Sequence, residues 1–340
     1  MTTHFGHLMP AEWEPHEAVW FSWPHKRSSW PGLFDRIPRI WGAMIRALRG
    51  SDEVRLLVRD AQVEEEVRRE LAGDLSGVRL FRVPTNDAWI RDYGPIFVRS
   101  SDPTGSVNLT WWGYNAWGRK YGPWDLDQAV PGKLAALLEQ PVLETGMILE
   151  GGSIDVDGEG TLLTTESCLL NPNRNPQLIR TDIERRLGEF LGVSKVLWLG
   201  DGIVGDDTDG HVDDLTRFVA PARVVTAVEQ DPKDENYHPL AENRERLQGM
   251  TDARGRALEV LEIPMPRAVR HDGHRCPASY ANFLIGNSVV LVPTFRCDRD
   301  EAALGILRDV FPGRKVVGID CFDMVWGLGA IHCVSQQQPA

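Results

Sequence analysis

The sequence predicts an α/β protein in which five related units surround a central axis, as in a five-bladed α/β propeller. Two observations indicate this fold. A short strand, a loop with polar residues, a hairpin and an amphipathic helix recur five times, at intervals of roughly 50–70 residues. The fifth unit runs out of chain after Cys333, and a strand at 18–23 without a local partner can complete it, which is how propellers close. The copies share a pattern and no residue identities, so a chance alternation of strands and helices is the competing explanation.

The individual elements follow from hydrophobic spacing and from the residues that end them. Residues 17–24 are expected to form a buried strand that ends at a proline, and a helix is predicted over 33–48, with Gly50 as its stop. Turn pairs of Asp-Gly and Gly-Asn predict hairpins over 153–165 and 282–293. The strands that open the units are predicted at 78–83, 141–144, 195–199, 258–263 and 315–319. The helices before them are predicted at 63–72, 126–138, 178–191, 240–250 and 301–310.

Composition and charge are those of a soluble globular protein. The chain has 340 residues, of which 42% are hydrophobic and 25% charged, and no linker or low-complexity stretch divides it. One domain is therefore expected over 1–340. The net charge of −12 argues against nucleic acid or an anionic membrane as partner and favours a small cationic molecule. No apolar run has the length of a transmembrane helix.

The N-terminus and the cysteines indicate the compartment. Residues 1–7 have neither the basic nor the apolar region of a signal peptide. The five cysteines are odd in number and dispersed, which does not fit a disulfide framework or a zinc knuckle. A reducing cytoplasm is therefore expected. The cysteines other than Cys333 are interpreted as packing residues.

Polar residues follow the opening strand of each unit and form the candidate site. If the units are related by rotation, their equivalent loops meet at the axis. Such an arrangement would gather Asp92, Glu150, His211, Asp213 and Cys333 in one concave pocket. A thiol, an imidazole and three carboxylates are residue types suited to covalent catalysis in a strongly negative site.

Each of these residues also has an ordinary structural interpretation. Asp92 could simply pair with Arg91, and the acidic run at 206–214 could be a solvated loop. That run lacks the spacing of an EF-hand, and His211 has no second His or Cys at ligand spacing, so no metal is predicted. A group of tryptophans is more typical of a core than of a cation-binding box. The group consists of Trp89, Trp111, Trp112 and Trp117.

Five segments carry a further signal. They are 9–16 (Met-Pro-Ala-Glu-Trp-Glu-Pro-His), 86–95 (Asn-Asp-Ala-Trp-Ile-Arg-Asp-Tyr-Gly-Pro), 149–152 (Leu-Glu-Gly-Gly), 209–213 (Asp-Gly-His-Val-Asp) and 331–337 (Ile-His-Cys-Val-Ser-Gln-Gln). In this order they span nearly the whole chain, and they resemble the agmatine deiminase family, which also takes in bacterial peptidylarginine deiminase-type proteins. The resemblance implies the guanidine-modifying five-bladed α/β propeller called the pentein fold, in agreement with the repeat count.

The resemblance also implies an activity and roles. The activity is hydrolysis of agmatine to N-carbamoylputrescine and ammonia, a step toward putrescine, through a covalent thiouronium intermediate and with no cofactor. Cys333 resembles the nucleophile, and His211 resembles the general acid and base. Asp92 and Asp213 resemble the carboxylates that hold the guanidinium. Glu150 resembles the acid that positions His211 and a substrate nitrogen.

Trp89 and Gly329 are the other expected substrate contacts. Gly329 lies in 327–330 (Gly-Leu-Gly-Ala), where many agmatine deiminases have Gly-Gly-Gly-Asn. This departure leaves the chemistry intact and bears on the choice of substrate. The first alternative is therefore a deiminase for another guanidine, such as free or peptidyl arginine, although the negative site loops favour an amine without a carboxylate.

The second alternative is a propeller that binds a partner without catalysis. Such a protein has no need for a Cys, a His and three acids on matching loops, so an enzyme is the favoured interpretation. The sequence leaves a homo-oligomer open. The segment 271–276 is expected to form a mobile loop over the site.

Overall fold

A computed structural model of the protein describes residues 6–102 and 105–340. Most of the segment 1–7, on which the prediction about a signal peptide rests, lies outside the described residues. Within the described ranges, no helix is long and apolar enough to span a membrane.

Five mixed sheets of three or four strands form the structure, and we call them blades 1 to 5. Each blade contains an antiparallel pair of strands, and one strand of that pair also pairs parallel with a further strand. In blade 2 the short strand His7–Leu8 is added antiparallel at the edge. A parallel pair needs a long crossover connection, and each of these connections contains a helix. The five-bladed α/β propeller predicted from the repeat is thereby confirmed.

Neighbouring strands pair across each blade in the following order. Blade 1 contains Ser335–Pro339, His16–Ser22, Glu53–Val58 and Val78–Arg82. Blade 2 contains His7–Leu8, Ile96–Ser100, Val107–Gly113 and Val142–Ile148. Blade 3 contains Asp155–Val156, Thr161–Thr165 and Lys195–Leu199. Blade 4 contains Thr216–Ala220, Arg223–Val228 and Glu259–Pro264. Blade 5 contains Leu284–Ile285, Val289–Thr294 and Lys315–Asp320.

Amphipathic helices supply the crossovers. In Ile37–Leu48 the buried residues recur every three or four positions, as expected for a helix that packs one face on a sheet. The α-helices are Ile37–Leu48, Ala61–Glu70, Ile90–Tyr93, Ala116–Arg119, Asp125–Gln128, Val130–Leu138, Glu166–Leu169, Arg180–Leu191, Tyr237–Gln248 and Asp300–Val310. The 3-10 turns are Arg27–Ser29, Phe34–Arg36, Gly151–Ser153, Val212–Asp214, Met324–Gly327 and His332–Val334.

Blade 1 is closed by two distant parts of the chain. The strand Ser335–Pro339 pairs antiparallel with His16–Ser22, with Gln337 opposite Val19. The antiparallel pair that a local hairpin supplies in the other blades is therefore made here by the C-terminal strand. This confirms the prediction that the strand at 18–23 completes the last unit.

Two predicted segments differ from the structure. The helix predicted over 126–138 is two helices, Asp125–Gln128 and Val130–Leu138. The second begins with Pro131 in its first turn, where a missing N–H is tolerated, whereas in one long helix the same proline would leave a hydrogen bond unmade. The loop predicted at 271–276 contains a two-stranded hairpin, Arg270–His271 with His274–Arg275, and its mobility stays a prediction.

Candidate active site

A short helical turn precedes an antiparallel strand pair in each of blades 1 to 4, and these turns contact one another at the centre of the molecule. Asp92, Asp213 and Cys333 lie within three of these turns, and Glu150 and His211 come directly before a turn. All five side chains are buried. The structure therefore brings the five predicted residues together at the axis, and of these Asp92 and Cys333 line the cavity. The turns are Ile90–Tyr93, Gly151–Ser153, Val212–Asp214 and His332–Val334.

Gly152 allows three of these side chains to approach one backbone position. A Cβ atom there would lie 2.6 Å from His211 Nδ1, 2.9 Å from Asp92 Oδ1 and 3.1 Å from Asp213 Oδ2. These distances leave no room for any side chain, so this position requires glycine. The imidazole is close to the first carboxylate, with His211 Nδ1 3.8 Å from Asp92 Oδ1.

The Asp92 carboxylate has neutral hydrogen-bond donors. The indole N–H of Trp117 donates to Oδ2 at 3.0 Å, and the backbone N–H of Gly152 donates to Oδ1 at 3.0 Å. Burial raises the pKa of Asp92 to about 6. The charge of His211 acts to lower this pKa, and the charges of Asp213 and Glu150 act to raise it. Arg91 does not pair with Asp92, because it donates to the backbone oxygen of His332 and to Gln337, so the simple ion-pair interpretation is wrong.

The Asp213 carboxylate belongs instead to a charged network. Its Oδ2 is 2.7 Å from His332 Nδ1, and the other nitrogen of that ring is 2.9 Å from Glu12 Oε2. Arg217 in turn donates to Glu12 Oε2 at 2.6 Å. Burial alone would raise the pKa of Asp213, but His332, His211 and Arg217 lower it below its usual value. Asp213 Oδ1 is buried and has no hydrogen-bond partner among the described residues.

His211 has both ring nitrogens buried and without a hydrogen-bond partner among the described residues. Burial by itself lowers the pKa of His211, but Asp92, Cys168 and Asp213 together raise it well above its usual value. Cys168 was expected only to pack, yet ligand atoms of Cys168, Glu150 and His211 lie within 4.8 Å of one another. Cys168 packs in a buried hydrophobic cluster as expected, and its thiol in addition borders the imidazole.

Glu150 forms a buried ion pair with an arginine through one of its two carboxylate oxygens. Arg174 Nε donates to Glu150 Oε1 at 2.7 Å, and both side chains are fully buried. The second oxygen, Oε2, is buried without a hydrogen-bond partner among the described residues. No hydrogen bond joins Glu150 to His211 within the described chain, so a positioning role of Glu150 would act through proximity or through substrate.

Cys333 lies where the turn at the axis meets the cavity. Its sulfur is 3.1 Å from Asn282 Nδ2 and 3.8 Å from Asp213 Oδ2. Burial raises the pKa of the thiol well above its usual value, and the nearby carboxylates, led by Asp213, raise it further. Gly329 allows close packing here, since a Cβ there would lie 3.3 Å from the sulfur and 2.6 Å from the Trp89 ring.

A cavity of about 710 Å³ reaches the sulfur and Asp92 from the surface. Trp89, Trp117 and Trp326 form apolar parts of its wall. Of the four tryptophans expected in a core, Trp112 packs in a hydrophobic cluster as expected. Trp89 and Trp117 also belong to a buried hydrophobic cluster, as expected, and in addition they border the cavity.

Trp117 reaches Asp92 from an unusual backbone segment. The residues of Ala116–Arg119 all have positive φ, and Trp117 itself has φ 54°. Left-handed backbone is unfavourable by roughly 1–2 kcal/mol for each residue with a side chain. Asn115 offsets part of this, since its Oδ1 accepts from Gly118 N at 2.8 Å and its Nδ2 donates to Asn173 O at 2.9 Å.

Among the residues that the structure describes, two groups of side chains have possible metal-ligand atoms within 4.8 Å of one another. One group is Glu150, Cys168 and His211, and the other is Asp213, Asp214 and Cys333. Each group contains a carboxylate that already has a partner in the protein, since Arg174 pairs with Glu150 and the His332 ring contacts Asp213. The thiols, the imidazole and the carboxylates of these two groups are also the residue types that covalent chemistry on a cationic substrate requires. The expectation that no metal is bound stays a prediction.

The fold is the five-bladed α/β propeller of guanidine-modifying pentein enzymes. The model of the Porphyromonas-type peptidyl-arginine deiminase family matches residues 8–339. The chain belongs to this family.

Its relatives cover it almost end to end. The agmatine deiminase of Pseudomonas syringae pv. syringae is 39% identical over 358 residues, which cover 98% of this chain and 96% of the relative. The solved agmatine deiminase of Enterococcus faecalis has a TM-score of 0.93 and 36% identity, covering 98% of this chain and 96% of that one. A C. jejuni agmatine deiminase solved with substrate bound has a TM-score of 0.90 and 31% identity, with the same coverage.

Proposed function

We propose that this protein is a hydrolase that converts agmatine and water to N-carbamoylputrescine and ammonia, with Cys333 as nucleophile. The observation that carries the proposal is the meeting of a cavity-facing thiol, a buried imidazole and carboxylates on separate turns at the propeller axis. Relatives that are named agmatine deiminases and match along nearly their whole length support the choice of substrate.

Binding and the first chemical step use opposite charges. A guanidinium is planar and presents paired N–H donors, which Asp92 and Asp213 Oδ1 would accept. The Cys333 thiolate then adds to the central carbon. The C–N bond breaks, and the imidazolium of His211 gives its proton to the leaving nitrogen, which departs as ammonia. The product of this step is a thiouronium on Cys333 and a neutral His211.

The second step reverses the roles. Neutral His211 takes a proton from water, and the oxygen adds to the thiouronium carbon. The C–S bond breaks, its electron pair returns to Cys333 as thiolate, and the protonated urea that results loses one proton to give the neutral urea. That proton converts the released ammonia to ammonium, so atoms and charge balance.

The charge of the substrate explains how a thiol with a raised pKa can react. In the empty site, carboxylates face Cys333 and make its thiolate unfavourable. A bound guanidinium places a positive charge beside the sulfur and both carboxylates, which favours all three ions. Deprotonation of Cys333, with release of the proton through the cavity, is therefore coupled to substrate binding.

The charges of the cavity favour agmatine over free arginine. Three Lys or Arg side chains line the cavity, and each is already paired with an acid. The α-carboxylate of arginine would need one of these cations and would leave its present partner unpaired. The pairs are Lys26 with Asp87 at 3.3 Å, Lys120 with Asp209 at 2.8 Å and Arg275 with Asp234 at 2.8 Å.

The test compares ammonia release from agmatine, free arginine and an arginyl peptide, with N-carbamoylputrescine measured as the second product. We expect agmatine to be preferred, and Cys333→Ala to abolish release while the protein stays folded. Cys297→Ala is the matched control, because Cys297 contacts Tyr280 and Asp300 away from the site. Preference for arginine would contradict the substrate, and substantial turnover by Cys333→Ala would contradict the nucleophile.

The remaining expectations belong to the same proposal. The pairing of Ser335–Pro339 with His16–Ser22 supports one domain over 1–340, because the two ends of the described chain share a blade. A small cationic guanidine as the partner, rather than nucleic acid or a membrane, agrees with the net charge of −12. The cysteines are free thiols, and the chemistry uses Cys333 in this reduced form, which supports a cytoplasmic location. The proposed steps use side chains and water and require no cofactor.

A further inference from the structure

The amide of Asn282 touches the sulfur of Cys333 and is held in one orientation. Asn282 Nδ2 donates to Cys333 Sγ at 3.1 Å and to Asp214 Oδ1 at 3.0 Å. On its other side, Oδ1 accepts from the backbone N–H of His332 at 2.9 Å. With the amide reversed, oxygen would face the Asp214 carboxylate and NH₂ would face a backbone N–H, so the observed orientation is the one that satisfies all partners.

The other polar side chains around the sulfur are acidic. Asp213 Oδ2 is 3.8 Å away, and Asp92 and Asp214 also raise the pKa of the thiol. The His332 ring faces Asp213 rather than the sulfur. In the described ranges 6–102 and 105–340, Asn282 is the one side chain that donates a hydrogen bond to Cys333 Sγ. A thiolate formed here therefore relies on this amide for side-chain stabilisation.

We propose that Asn282 is a further catalytic residue, which stabilises the Cys333 thiolate through its amide N–H before attack and again as the C–S bond breaks. The proposal rests on the proposed function, because it assigns Asn282 a part in the same covalent step. When the thiol loses its proton, the N–H···S bond becomes charge-assisted and stronger. When the sulfur bonds to carbon, its charge is neutralised and the bond weakens. Asp214 is the positioning residue that keeps the amide turned toward the sulfur.

The first experiment measures the thiol without any substrate. Asn282→Leu removes the donor and keeps the size of the side chain. Alkylation of Cys333 by iodoacetamide is followed between pH 7 and 9 by mass spectrometry of the peptide that contains it. We expect the rate to fall roughly three- to tenfold, since each unit of pKa removes tenfold of the thiolate and the more basic thiolate regains about threefold in reactivity.

The second experiment measures turnover of agmatine. We expect kcat to fall roughly 10- to 100-fold in Asn282→Leu, as for the loss of a hydrogen bond to a charged group, with KM changed less than about threefold. The pH profile of kcat/KM should also shift its thiol limb to higher pH. A merely structural role would lower the melting temperature and leave the pH profile where it was.

Asn243→Leu is the matched control. Asn243 is fully buried and uses its amide in the same way, accepting from Gly200 N and donating to Asp201 O, away from the site. We expect normal alkylation and a normal pH profile from it. If Asn282→Leu does not fold, Asn282→Ala removes the same donor with less demand on packing.

The outcomes separate this proposal from the proposed function. Unchanged alkylation and an unchanged pH profile in a folded Asn282 variant would overturn the role of Asn282, whatever the substrate. If the unaltered protein releases no ammonia from agmatine while alkylation falls as expected in the variant, the proposed substrate fails and the contribution of Asn282 to the thiolate stands.

Discussion

Asp92 on the blade 2 side of the site and Asp213 on the blade 4 side are stabilised in opposite ways. Asp92 accepts hydrogen bonds from an indole N–H and a backbone N–H, both neutral. Burial raises its pKa to about 6, and the charge of His211 acts to lower this pKa while Asp213 and Glu150 act to raise it. Asp213 contacts the His332 ring, and Glu12 lies on the far side of that ring. Against the effect of burial, the cationic neighbours of Asp213 lower its pKa.

This difference suggests a division of labour between the two carboxylates. Asp213 is ionised before the substrate arrives and offers a permanent negative charge. Asp92 takes up a proton easily, so its ionisation depends on the cation that it binds. Asp213 therefore attracts the guanidinium, and Asp92 becomes ionised when the guanidinium binds.

The largest effect is expected from Asp213→Asn. The substitution removes the permanent charge and leaves the buried His332 ring without one of its two acidic partners. Breaking such a buried pair costs roughly 3–5 kcal/mol of folding stability, which lowers the melting temperature. Removing the charge that faces the guanidinium costs roughly 2–5 kcal/mol of binding, so kcat/KM for agmatine should fall on the order of a thousandfold. Steady-state kinetics and thermal unfolding measure both. Asp298→Asn, at an exposed ion pair with Arg267, is the control and should change neither. A loss below tenfold would contradict the assigned importance of Asp213.

Asp92→Asn should separate activity from stability. We expect kcat/KM to fall roughly 10- to 100-fold, because a charge-assisted hydrogen bond to the guanidinium is lost. The melting temperature at pH 8 should be equal or higher, because the folded protein no longer holds a buried carboxylate that has neutral donors. If Asp92→Asn destabilises the protein as much as Asp213→Asn does, the two sides are alike and the comparison is wrong.

The pH dependence follows from the raised pKa of Asp92. Because the folded protein holds this proton more tightly than the unfolded chain, Asp92 stabilises the empty fold below pH 3.8, and this contribution is lost as pH rises through about 6. Substrate binding has the opposite dependence, so KM for agmatine should rise below pH about 6. A KM profile from pH 5 to 8 tests this. The limb near pH 6 should disappear in Asp92→Asn, and its persistence there would assign it to another group.

The smallest effect is expected from Trp117→Phe. This change keeps an aromatic ring in the cavity wall and removes the N–H donor to Asp92. KM for agmatine should rise by about fivefold with little change in kcat, and the limb near pH 6 should move upward. Trp111→Phe is the control, since Trp111 donates to the backbone of Gln128 outside the cavity. Equal KM values for the two variants would show that the indole N–H does not support Asp92.

The sequence predicts that the main site residues meet, because units related by rotation place their equivalent loops around one axis. Each predicted unit has polar residues after its opening strand, so once the repeat is recognised, the positions of Asp92, His211 and Cys333 follow without side-chain detail. The closing strand at 18–23 follows in the same way, from a unit that lacks one strand. Periodicity and turn signals are local properties, and these parts of the structure depend on little else.

Residues that enter the site through tertiary contacts were not predictable. Trp117 reaches Asp92 from a left-handed turn that Asn115 and Asn173 support, and nothing in the local sequence indicates that backbone. Cys168 borders His211, although a buried thiol has no periodic signal of its own. Asn282 is the first residue of the predicted hairpin 282–293, and only its two-sided hydrogen bonding in the structure distinguishes it from an ordinary loop amide.

The reactive sulfur lies next to the strand pair that closes blade 1, which we call the seam of the ring. Cys333 comes two residues before the strand Ser335–Pro339, whose pairing with His16–Ser22 joins the far ends of the described chain. Fraying of that seam would displace the nucleophile while the hairpins of the other blades stay intact. Loss of activity should therefore precede loss of secondary structure during gentle denaturation, which makes catalysis an early reporter of ring opening.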